Sequence, residues 1–78
     1  MENLKKYDES FIKTFAIKKK ELSNLEYNKI ESWDSIGHMT LISELEESFK
    51  ISIETDDIID FSSYQKGKEI LKKYKIKF

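Results

Sequence analysis

Directly behind two helix-capping residues, Asp34 and Ser35, the apolar residues fall into a helical repeat. Met39, Ile42, Leu45 and Phe49 lie at steps of three, three and four, with Leu41 on the same face. That spacing belongs to one side of an α-helix, and Asp and Ser are favoured residues at its N-terminal cap. Glu44, Glu46, Glu47 and Ser48 fall largely on the other side. Ser35 is therefore expected in the first turn of an amphipathic helix, with its hydroxyl beside a loop. A helix end of this kind favours a phosphate, because unpaired N–H groups and the positive end of the macrodipole meet there.

The remaining segments follow the same logic. Leu4, Tyr7, Phe11 and Phe15 are spaced for a first helix over about Asn3–Ile17, capped by Asn3 and widened by Ile12. Residues 18–34 form a long connection, which a small domain tolerates only if it is anchored. Leu22, Leu25, Tyr27 and Ile30 supply apolar anchors, with a short helical turn among them, and Trp33 is expected to pack the end of the loop against the bundle. Residues 50–54 alternate in polarity but have no strand to pair with, so they read as extended chain. Thr55 is placed to cap a short helix over Asp56–Asp60. Ser62 and Gln65 have the spacing of a capping box for a last helix, whose inward stripe is Tyr64, Gly67, Ile70, Leu71 and Tyr74. Gly67 costs about 1 kcal/mol against Ala inside a helix, so close packing is its expected reason. The expected fold is all-α: a small antiparallel bundle of three main helices and one short one in a single domain, with a long first loop.

Seventy-eight residues leave room for one modest core and no deep cleft between subdomains. There is no Cys and a single His, His38, so disulfides, thiol chemistry and an ordinary zinc site are excluded. No apolar run approaches the roughly 20 residues of a membrane span, and no signal-peptide pattern opens the chain; a cytoplasmic monomer is expected. Residues 31–60 carry nine acids against one base, a balance of −8, while residues 1–30 stand at +2 and residues 61–78 at +5. All the bases are Lys, which lack the guanidinium fork used for bidentate recognition of phosphate and base edges. Nucleic acid is not an expected partner.

Asp34-Ser35-Ile36 at a helix start, then Leu41-Ile42 and Leu45-Glu46-Glu47-Ser48-Phe49, closely resembles the acyl carrier proteins, over about Leu4–Tyr74. The resemblance implies that Ser35 carries a covalent 4′-phosphopantetheine arm, derived from coenzyme A, whose thiol holds an acyl group as a thioester. It implies a transferase that installs the arm and contacts Asp34, and loading and acyltransferase or synthase enzymes that read the helix after Ser35. The helices after Ser35 and Thr55 would border a cleft able to shelter an attached chain. Gly37 and Thr40 stand where the best-known fatty-acid carriers often have acids, and Ser43 where a partner-facing Met is common. The Trp-Asp-Ser-Ile-Gly-His form is more similar to carriers of specialised pathways, such as those of surface polysaccharides or secondary metabolites.

Each residue also has a plainer reading. Ser35 could be only a cap, or a nucleophile activated by His38 one turn on, although no acid orients that imidazole and no oxyanion hole is evident. Asp34 could be a first-turn acid, Gly37 either open access beside Ser35 or a tolerated frayed turn, and His38 a solvated side chain. Trp33 could instead steer the arm. Met39, Ile42, Leu45, Phe49, Ile58 and Phe61 are first of all core residues. The charge balance places the docking burden on Asp34, Glu44, Glu47 and Asp57, facing basic patches on partner enzymes, with Ile36 and Met39 as the apolar alternative. An aminoacyl or peptidyl carrier, and an unmodified helical interaction module, are the competing functions.

Overall fold

The computed structural model describes residues 2–78. Its elements are α1 (Glu2–Phe15), a 3₁₀ helix (Lys19–Asn24), α2 (Ser35–Phe49), α3 (Thr55–Asp60) and α4 (Tyr64–Lys72). The chain is an all-α bundle with three main helices, and no strand occurs among the described residues. Residues 51–54 lie outside helix and strand, with Ile53 turned into the core, whereas Lys50 is not extended but takes a left-handed φ of 56° as the C-cap of α2.

In α1 the spacing of four buries Tyr7, Phe11 and Phe15. Phe11 is the hub of an aromatic chain, its ring centre 4.9 Å from Tyr7, 5.3 Å from Tyr64 and 5.6 Å from Trp33. Asn3 is not the cap: it lies inside the helix, and its side-chain amide donates to the Lys77 carbonyl at 2.9 Å. That bond ties the C-terminal segment to α1, and Ile76 is buried. The helix stops at Ala16, which takes a left-handed φ of 55°, rather than at Ile17.

The long connection is anchored partly by side chains and partly by backbone. The 3₁₀ helix supplies the expected turn, and Leu22 and Leu25 are buried. Tyr27 stays exposed, yet its N–H donates to the Ser62 carbonyl at 2.8 Å while the Tyr64 N–H donates to the Leu25 carbonyl at 3.0 Å. This isolated antiparallel bridge between Glu26 and Ser63 fastens the loop to the start of α4. Trp33 is wholly buried, stacked on Phe15 with ring centres 5.1 Å apart.

Two caps move by a residue. Ser63, not Ser62, opens α4: its Oγ accepts from the Lys66 N–H at 2.9 Å, so the Ser62–Gln65 box does not form. Glu54 precedes α3 without a side-chain cap, and Thr55 is the helix's first residue. Gly67 has the expected reason, because a Cβ there would run into the Phe61 ring and the Tyr7 hydroxyl.

Candidate functional site

Asp34 alone caps α2. Its backbone is extended, its Oδ1 accepts from the Gly37 N–H at 2.8 Å, and its carbonyl accepts from the His38 N–H at 2.8 Å. Ser35 is the first helical residue and is exposed, with its hydroxyl left out of the capping bond. The Asp34 carboxylate thus serves one first-turn N–H of α2, that of Gly37, and brings a negative charge to this helix end. Gly37 is not an opening beside Ser35. A Cβ on it would strike the Ser32 carbonyl oxygen and come within 3.2 Å of the Phe15 ring. Glycine lets residues leading into the helix lie on its first turn.

His38 is a structural tie, not a solvated side chain. It is half-buried, its Nδ1 lies 2.9 Å from the Trp33 indole nitrogen, and its Nε2 lies 2.8 Å from the Ile58 carbonyl. An indole N–H can only donate and a carbonyl only accept, so Nδ1 is the acceptor and Nε2–H the donor. Both ring nitrogens are engaged, and neither is left to activate Ser35. Tyr27 and Phe61 pack edge-on against the imidazole, with ring centres at 5.3 and 6.1 Å.

Beside Ser35 opens a cleft of about 390 Å³, walled by Ser35, His38 and Met39 of α2, Ile58 and Ile59 of α3, and Tyr27, Phe61 and Ser62 from the flanking loops. Trp33 is not among its walls, so the buried indole is in no position to touch an arm there. Met39 is half-exposed at this cleft and does not belong to the core. Its helical phase lies at the edge of the stripe, where Leu41, Ile42 and Leu45 take the buried side. Phe61 is buried as expected, whereas Phe49 and Ile58 are only partly so. Ile36 and Ile59 are 78% and 72% exposed, and large apolar groups this open mark a contact surface when they cluster.

The acids divide into engaged and outward groups. Glu44 is partly buried and faces the Lys13 ammonium at 3.6 Å. Glu46 Oε2 accepts from the Ile53 N–H at 2.8 Å, holding the extended segment under α2. Glu47 is exposed, as are Asp34, Asp56 and Asp60. Asp57, expected among the docking charges, is turned inward. Its Oδ1 accepts from the Lys73 ammonium and its Oδ2 from the Tyr74 hydroxyl, both at 2.6 Å. The Lys73 hydrogen bond, with that of Tyr74, holds its carboxyl below the usual carboxylate range. The Tyr74 hydroxyl in turn accepts from the Glu54 N–H at 2.9 Å. Asp57 therefore pins α3 to the end of α4, while its neighbours Ile58 and Ile59 face the cleft.

The structure thus brings Ser35, Met39 and Ile58 together around one opening, with Asp34 and Ile36 adjoining Ser35 in the chain, and takes Asp57 away from it. Tyr27, Ile59 and Ser62 also line the opening. Nothing local signals them, since they arrive through the backbone contact between the first loop and the segment ahead of α4. Among the described residues no group of acids and His is arranged to hold a metal ion, and no helix is long and apolar enough to cross a membrane. Comparison with protein-family models, with curated proteins and with solved structures finds no match.

Proposed function

We propose that this chain is an acyl carrier protein in which Ser35 Oγ holds 4′-phosphopantetheine through a phosphodiester. The observation that carries the reading is an exposed serine hydroxyl, spared from capping, at the first residue of α2 and at the mouth of an apolar cleft. The surroundings fit such a group: Ser35 is exposed and would hold it at the cleft mouth, and Met39, Ile58 and Ile59 would offer the attached chain an apolar surface. When bound, the arm supplies the thiol that forms the thioester. The chain's own residues hold Ser35 at the tip of a rigid helix and offer partners one face to read.

That face combines Ile36, Met39 and Ile59 with the outward acids Asp34 and Glu47. It suits a transferase and acyl-loading or synthase enzymes that present basic patches around an apolar centre, meeting a monomeric carrier in the cytoplasm. Complementary charge of this kind speeds encounter and fixes orientation more than it adds affinity. The exposed isoleucines equally suit an unmodified interaction module, so modification is the deciding property. Incubation with coenzyme A and a phosphopantetheinyl transferase should add one arm, read as a mass increase that Ser35→Ala abolishes. Labelling that survives in Ser35→Ala, or that several transferases all fail to produce, would leave the interaction module as the reading.

A further inference from the structure

His38 stands in one wall of the cleft and hydrogen-bonds across to the other. It belongs to α2, donates to the Ile58 carbonyl of α3 at 2.8 Å, and accepts from Trp33 at 2.9 Å. Its ring lies nearly parallel to the Trp33 indole, 17° between planes, and the fully buried indole lies outside the cleft that His38 helps to wall. We infer that His38 is a latch: by tying α3 to α2 in front of Trp33, it keeps the cleft shallow and restricts a group tethered at Ser35 to a short apolar chain.

Two observations converge on this. Behind His38 and Phe61 stands the aromatic core of Phe11, Phe15 and Trp33, so a longer chain could be accommodated only by parting α2 from α3. Parting them breaks the bond to the Ile58 carbonyl and leaves an imidazole N–H and a carbonyl to be satisfied elsewhere, a penalty that grows with their burial. Asp57 holds the far side of α3 through Lys73 and Tyr74, so α3 is tethered on both sides and does not simply swing aside. His38 is a positioning residue here, acting through the separation of the two helices.

The inference rests on the carrier reading only for the chemical nature of the tethered group, and it can be tested without a transferase. The chain has no cysteine, so Ser35→Cys provides one thiol, which alkyl thiosulfonates convert to mixed disulfides bearing methyl, butyl or octyl chains, with sulfinate as the leaving group. With His38 present, the thermal midpoint should rise from methyl to butyl and not rise further at octyl. With Ser35→Cys/His38→Leu, which keeps bulk but makes neither bond, it should keep rising through octyl. His38→Gln, whose amide can accept from Trp33 and donate to Ile58, should restore the plateau. Trp33 is the only tryptophan, which gives a second measurement needing no change at His38: an octyl chain with a terminal bromine should leave its fluorescence unquenched. A length dependence identical in all three proteins, no gain from methyl to butyl, or strong quenching of Trp33 with His38 in place would overturn the latch. Failure of Ser35 to accept an arm would leave these outcomes unaffected, so the two readings fail separately.

Discussion

The Trp33 indole N–H donates to His38 Nδ1 at 2.9 Å, so a loop residue fixes the tautomer of a residue on the helix that begins two positions later. With Nδ1 committed as acceptor, Nε2 must carry the proton that reaches the Ile58 carbonyl. Trp33→Phe keeps an aromatic ring in the core but removes the donor to Nδ1. It should lower stability by about 1–3 kcal/mol, the usual range for leaving a buried partner unsatisfied, as read from a urea midpoint.

The two capping residues should separate cleanly. Asp34→Ala removes the bond to the Gly37 N–H and should cost about 1 kcal/mol. Ser35→Ala should stay within roughly 0.5 kcal/mol of the parent, as expected of a surface change away from any special feature. Equal losses in the two variants would show that Ser35 also caps.

Gly67→Ala gains up to about 1 kcal/mol of helix propensity, yet the new methyl meets the Phe61 ring and the Tyr7 hydroxyl. Overpacking typically costs about 1–3 kcal/mol, and Tyr7 cannot retreat freely because its hydroxyl donates to the Tyr64 carbonyl at 2.6 Å. The variant should be destabilised; a stabilised one would mean that the helices separate easily there.

Asp57 should appear in stability and not in docking. Its carboxyl titrates below the ordinary range in the folded chain, through Lys73 first and Tyr74 second. A depressed folded-state value stabilises above the unfolded value, about 3.9 for Asp, and that stability is lost as pH falls below it through the folded value. Parent and Asp57→Asn should therefore differ most above pH 4 and converge at lower pH, as followed by denaturant titration at each pH. The transferase KM should be little changed by Asp57→Asn.

Docking should instead follow the outward groups. Glu47→Lys should raise the transferase KM more than it lowers kcat, and transfer should slow with added salt, because exposed charges are screened beyond about 8–10 Å at physiological ionic strength. Glu69→Lys should do little. Ile36→Ala, at a residue 78% exposed, should leave stability nearly unchanged while raising KM. Rates indifferent to salt but sensitive to Ile36 and Met39 would identify an apolar contact.

Much of this molecule is local chemistry and is legible as such. The three- and four-residue spacing of Tyr7, Phe11 and Phe15, and of Ile42, Leu45 and Phe49, selects helices and their inward faces without any knowledge of partners. Asp34 at a cap position fixes where α2 begins, and through it the exposure of Ser35. Gly67 announces a close approach because a helix interior otherwise disfavours it. What only the tertiary structure decided are relationships between residues far apart in the chain. Spacing places Asp57 on a short helix but cannot show that Lys73 and Tyr74 stand behind it, which turns a surface charge into a buried tie. It places His38 one turn beyond Ser35 but not between Trp33 and the Ile58 carbonyl, and it gives no sign that Gly37 is required by the Ser32 carbonyl. Periodicity reports the phase of a side chain about its own helix axis; what that side chain meets depends on how the helices cross, and that is set by the packing of the whole aromatic core.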